Sequence, residues 1–353
     1  MSASFPVSRR AACAMLAGGL AGGLAAPVFA RQRHDALVGP GGTHASLAEA
    51  LAAAPPGEGI YRIHLGRGEW QERVVVRRAN VHLSGAGADA TILHGSTSAG
   101  ETRPGGGTWG TYGSATLTVE APGFRASDLG IENRFDYVGR LAQGGEGARQ
   151  AVALALGDAS DLAVIDRVGI LGHQDSFYLK AGRALVRDCA IGGSIDFIFG
   201  GAQAWLRRCE IRSRLRPGQA LQGYVAAPST PRAQALGLVF DRCRLIREAG
   251  VADRSVFLGR PWRAGGDLSR TGSAMFLECW MDRHIAASGW TGMGYRGRGG
   301  YPMVMEAGDG RFFEWASTGP GARPDPSRRQ LNARQARNVR AAMAATLAAV
   351  GGG

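Results

Sequence analysis

A short pattern that recurs at one position in turn after turn is the feature that most constrains this chain. Between about residues 115 and 285 the order apolar, two polar, small apolar or cysteine, any residue, apolar comes round five times. It reads Ile165-Asp166-Arg167-Val168-Gly169-Ile170, Val186-Arg187-Asp188-Cys189-Ala190-Ile191, Leu206-Arg207-Arg208-Cys209-Glu210-Ile211 and Phe240-Asp241-Arg242-Cys243-Arg244-Leu245. A fifth copy, Leu277-Glu278-Cys279-Trp280-Met281, reads as one residue short. The fourth position falls on Val168, Cys189, Cys209, Cys243 and Cys279; the first two steps span 21 and 20 residues, and the later ones, 34 and 36, leave room for loops. Repeats of this size, made of short strands with too little helical period for strand–helix–strand units, bury their inward side chains only by stacking coil on coil. The expected fold is therefore all-β, a parallel β-helix. The leucine and asparagine ladder of a leucine-rich repeat is missing. Ser46 to Ala54 reads as a capping helix and Ser327 to Val350 as a C-terminal helix or pair of helices, the end caps a solenoid needs.

With 353 residues, 45% of them hydrophobic, the chain can bury a sizeable core, and residues 31–353 are expected as one domain. The 55 glycines follow no triplet period, which fits many short strands and tight turns. The first thirty residues contain no acid, set Ser8-Arg9-Arg10 before an apolar run through Leu24, and close on Val28-Phe29-Ala30. They read as a signal peptide for the twin-arginine or the general secretory route, so an exported, secreted or periplasmic protein is expected. The run is shorter and weaker than the roughly 20 apolar residues of a membrane span, and no membrane partner is expected. The formal charge is +12, of which only Arg9 and Arg10 leave with the leader. An exported basic surface suits an acidic polysaccharide better than nucleic acid; the plain alternative is a solubilising charge.

Cys189 and Cys209 hold the same position in adjacent coils, and neighbouring strands lie about 4.8 Å apart, inside the Cα window of a disulfide. A bridge between them is expected in an exported protein, the alternative being stacked thiols in a dry core. Pairing of Cys243 with Cys279 stays open. The same spacing governs two acids. Gly172-His173-Gln174-Asp175 and Gly193-Ser194-Ile195-Asp196-Phe197 place their aspartates 21 residues apart, the step that relates Val168 to Cys189. Stacked carboxylates repel, so their pKa values separate and supply one acid and one base or nucleophile; otherwise they are a ladder of turn caps. Arg260, in Leu258-Gly259-Arg260-Pro261-Trp262, can grip a carboxylate with two hydrogen bonds, and Trp262 beside it offers a flat surface for a sugar ring. His173 reads as a partly exposed turn residue.

Five motifs in order, Gly68-Glu69-Trp70-Gln71-Glu72, Gln150-Ala151-Val152-Ala153-Leu154, Gly172-His173-Gln174-Asp175, Asp196-Phe197-Ile198-Phe199-Gly200 and Leu258-Gly259-Arg260-Pro261-Trp262, give a sequence that resembles the pectin methylesterases, bacterial type, from about residue 36 to 335. The resemblance implies a right-handed single-stranded parallel β-helix that removes methyl esters from polygalacturonate without metal or cofactor. It implies Asp196 as nucleophile, Asp175 as general acid and base, Arg260 orienting Asp196, and Gln174 and Gln150 as donors to the oxyanion. Thr111, Tyr178, Phe199, Tyr224, Trp262 and Met293 would face the substrate, methyl-esterified pectin, and the chain is expected to act as a monomer. Trp70 departs from the usual tyrosine of the first motif. Two other readings stand beside this one: a related β-helix acyl thioesterase, and a non-catalytic polysaccharide-binding solenoid. A calcium-dependent lyase would want a cluster of acids with a basic catalytic residue. No Gly-x-Ser-x-Gly, His-Glu-x-x-His or paired-cysteine metal motif occurs.

Overall fold

A computed structural model describes residues 34–144 and 148–350; the expected signal peptide, residues 1–30, lies outside them. The chain winds as a right-handed parallel β-helix whose walls are parallel sheets of ten, eight and seven strands. One inward column shows how the repeat makes the core. Ala36, Ile63, Leu83, Ala126, Ile165, Val186, Leu206, Phe240 and Phe276 pair rung to rung along the ten-stranded sheet, every one of them buried. The Phe240 and Phe276 rings stack at 4.3 Å. Beyond Phe276 the column ends on Glu314, which is buried and receives two hydrogen bonds from Arg328, at 2.8 and 2.5 Å.

Phe240 pairs with Phe276, so the fifth copy starts at Phe276 and is not short: Phe276-Leu277-Glu278-Cys279-Trp280-Met281 keeps all six positions. The third position of the pattern is a corner. Arg167, Asp188, Arg208, Arg242 and Glu278 all adopt left-handed φ of 50 to 56°, turning the chain from the ten-stranded to the eight-stranded sheet within two residues. The next residue then points inward, which is why it is Val or Cys. Arg167 pairs with Asp128 and Arg208 with Asp188 across neighbouring corners.

The expected Cys189–Cys209 bridge is not formed: Cys189, Cys209, Cys243 and Cys279 are all free thiols in the core. In-register parallel rungs hold side chains about 4.8 Å apart and parallel, wider than the roughly 3.8 Å between Cβ atoms that a disulfide needs. Each sulfur donates instead to backbone oxygens, as Cys189 Sγ does to Arg187 at 3.2 Å and Cys209 Sγ to Arg207 at 3.4 Å. Denatured, unreduced mature protein is therefore expected to take up four equivalents of a thiol reagent and the native protein none; two equivalents would mean that one pair is bridged.

Ser46 caps the helix Leu47–Ala52, its hydroxyl accepting from the Glu49 amide at 3.1 Å. The C-terminal helix Ala333–Thr346 is not an end cap. It lies along the outer face of the ten-stranded sheet, where Met343 and Leu347 cover the outward column Val164, Leu185, Trp205 and Val239. Those outward apolar side chains need a cover, and Arg340 pins the helix there by binding Asp241 and Glu278.

Candidate active site

The seven-stranded sheet runs through strands Leu154–Leu156, Phe177–Leu179, Ile195–Gly200, Gly223–Pro228 and Val256–Gly259. Phe177 pairs with Ile198, an offset of 21, so the turn carrying Asp175 sits on the rung beside Asp196, and the Asp175 amide donates to Ile195 O at 3.0 Å. Asp196 occupies a bulge: from Ile195 to Ile198 the strand advances three residues while its partner advances two, from Tyr224 to Ala226. The extra residue and a left-handed φ of 49° at Asp196 re-aim its carboxylate out of the strand alternation. Gly223 makes room for the bulge, since a Cβ there would lie 1.8 Å from Ser194 O.

Arg260 follows Val256–Gly259, two rungs on, and grips Asp196 with two hydrogen bonds, Nε to Oδ1 at 2.9 Å and a terminal nitrogen to Oδ2 at 2.6 Å. The Tyr224 ring lies beneath the guanidinium, 3.8 Å from its centre, and stacks on Phe257. Burial pushes the Asp196 carboxyl above its ordinary value, and the hydrogen bonds and charge of Arg260 pull it partly back. Burial pushes Asp175 up further, the negative Asp196 adds to the shift, and Arg260 offsets little of it. The pair is thus split into a clamped carboxylate and a neutral acid. Gln150 and Gln174 border it: the Ala151 amide donates to Gln174 O at 3.0 Å, and Gln150 Oε1 is buried without a partner. Among the described residues no three His, Cys, Asp or Glu converge to hold a metal ion.

Next to the carboxylates Tyr178 and Phe199 stack at 4.2 Å on adjacent rungs, with Trp262 at 5.7 Å from Phe199. Thr111 lies in the short helix Gly110–Gly113, whose Tyr112 meets Tyr178 edge-on. Met293 is farther out, on a two-stranded hairpin where it pairs with Met305, and joins none of these ring contacts. His173 is buried, contrary to expectation. It stacks on Tyr137 at 4.9 Å, and burial with Arg214 and Arg216 nearby pushes its pKa down to about 3, so the ring is neutral. Asn133, which no motif marks, ties three segments by donating to Thr97, Ser114 and Val152 carbonyls. Its only trace in the sequence is an amide at a strand end.

A parallel β-helix carrying a buried, arginine-clamped carboxylate pair under an aromatic patch is the frame of a carbohydrate esterase, and the comparisons give the same class. The pectinesterase family model matches residues 36–323. Pectinesterase A of Dickeya dadantii (strain 3937) is 36% identical over 313 residues, covering 84% of this chain and 85% of that protein. Pectin methylesterase of Erwinia chrysanthemi superposes with a TM-score of 0.84 at 34% identity, over 89% of this chain and 97% of that one. The enzyme from Yersinia enterocolitica gives 0.78 at 35% identity, over 83% and 96%. The chain belongs to the pectinesterase family and is a carboxylic ester hydrolase of the bacterial pectin methylesterase type.

Proposed function

We propose that the chain hydrolyses the methyl esters of polygalacturonate, with Asp196 as nucleophile and Asp175 as acid and base. The single observation that carries this reading is the split carboxylate pair, one carboxylate clamped by Arg260 and one acid held neutral by burial. Asp196 Oδ attacks the ester carbon, and the oxyanion is met by the amides of Gln150 and Gln174. As the C–O bond breaks, Asp175 gives its proton to the leaving methoxide and methanol departs, leaving an acyl anhydride on Asp196. Asp175, now ionised, takes a proton from water, which attacks the anhydride and restores both carboxyls. Trp262 gives a sugar ring an apolar face, backed by the buried Tyr178 and Phe199, and the same reading assigns Thr111, Tyr224 and Met293 to substrate contacts. The reading places the mature chain outside the cytoplasm, acting as a monomer.

The direct test is methanol release from highly methyl-esterified pectin in the presence of a chelator, beside acyl thioester substrates. Release from pectin supports the reading; turnover of thioesters alone replaces it with an acyl thioesterase, and no turnover by folded protein leaves a binding solenoid. The pH profile adds a sign. The rate is expected to fall on the acid side as Asp196 gains a proton and on the alkaline side as Asp175 loses one, both limbs lying above the ordinary Asp value of about 3.9. In Arg260→Gln the acid limb should move to higher pH, because what holds Asp196 down is gone; an unmoved limb would show that Arg260 does not tune it.

A further inference from the structure

The outward column of the ten-stranded sheet changes character along its length. From Val164 onward it is apolar and covered by the C-terminal helix. Its three preceding rungs are Arg62, His82 and Arg125, paired in register, with Arg125 next to Val164. Here the sheet is open, and a cavity of about 210 Å3 is walled by these three side chains, Val164 and the Asp166–Arg187 pair. That space is large enough to admit a carboxylate group.

The charges there do not cancel. Asp166 accepts from Arg187 at 2.9 Å and from Arg167, and Arg167 also binds Asp128. Asp35 spends an oxygen on the Arg62 backbone amide at 2.7 Å. Among the described residues the guanidiniums of Arg62 and Arg125 have no hydrogen-bond, ion-pair or ring partner. Two unpaired cations separated by one rung, with an imidazole between them, form a fork for an oxyanion. Val164 closes one end with its edge alone, being buried beneath the C-terminal helix, so the two cations select the ligand.

We propose that this cavity binds the carboxylate of a sugar acid, one unit of an acidic polysaccharide held apart from the carboxylate pair on the seven-stranded sheet. Galacturonate as the sugar acid rests on the function proposed above. Arg62 and Arg125 grip the carboxylate from either side. His82 reports occupancy. Burial, then Arg125 and Arg62, push its pKa down to about 4; an anion between the guanidiniums offsets their repulsion and raises it. His34, Arg167, Arg187 and Asp166 also face this space, and the Asp166 charge is already taken by its two arginines.

The test is calorimetric titration of the mature chain with trigalacturonate, neutral trigalactose and inorganic phosphate, beside Arg62→Gln/Arg125→Gln. Wild type should show two classes of site for trigalacturonate, one of which weakens at least tenfold in the double variant while methanol release at saturating pectin stays unchanged. A single class retained by the double variant overturns the proposal. So does a second class that prefers phosphate, or one that takes trigalactose equally well. In parallel, the His82 ring resonances should titrate at higher pH with trigalacturonate present; no movement also overturns it. Binding that depends on Arg62 and Arg125 in a protein inactive on pectin would sink the proposed activity and leave the cavity standing, so the two failures are distinct.

Discussion

Asp196→Asn is expected to lower methanol release by at least about 10⁴-fold, the scale on which loss of a nucleophile acts. The amide keeps the size of the carboxyl and its place in the bulge, but it neither attacks an ester carbon nor forms an anhydride. It also leaves the half-buried Arg260 guanidinium without its carboxylate partner, so the melting temperature should fall as well. The two effects separate by substrate binding: a folded Asp196→Asn chain should still bind oligogalacturonates beside the carboxylate pair while failing to turn them over. Asp175, released from its negative neighbour, should titrate at lower pH than in wild type. A variant within tenfold of wild-type rate would remove Asp196 from the chemistry.

Gly200→Ala is expected to prevent folding, with more than about 4 kcal/mol lost. Gly200 ends the strand Ile195–Gly200 at φ 124°, and a Cβ there would stand 1.9 Å from Leu179 O and 2.5 Å from Leu179 C, in the adjacent rung. Backbone on backbone cannot yield as a flexible side chain can. Gly59→Ala, where nothing lies within 4 Å of the added atom, should be near neutral and serves as the control. Thermal or denaturant unfolding of both variants reads the difference; equal stability would mean that the rungs at Gly200 can part without cost.

Much of this architecture is legible in the sequence because a solenoid writes its geometry as an interval. The 21-residue step that relates Val168 to Cys189 is also the pairing offset of Phe177 and Ile198, so the adjacency of Asp175 and Asp196 follows from counting. What escapes counting is whatever depends on direction or cover. The bulge that turns Asp196 outward is visible only when one strand is laid against its neighbour. The cysteines share a register, yet parallel side chains keep their distance, so shared register yields thiols. His173 is buried because Tyr137, from a helix 36 residues upstream, lies across it, and no local pattern announces such a lid. The C-terminal helix is readable as a helix, but its place on the flank is set by outward apolar residues far back in the chain.

The carboxylates, their amide neighbours and their arginine come from four separate windings: Gln150 enters the strand at Leu154–Leu156, Asp175 precedes Phe177–Leu179, Asp196 lies in Ile195–Gly200, and Arg260 follows Val256–Gly259. In a quasi-linear stack each winding is held by its neighbours alone. A chain that has emerged or wound only as far as Gly223–Pro228 therefore owns both acids but no guanidinium to keep either one charged. On the roles proposed above, competence arrives late and all at once, with the docking of a single strand, and a nascent or half-wound molecule is expected to be chemically silent towards esters it meets on the way.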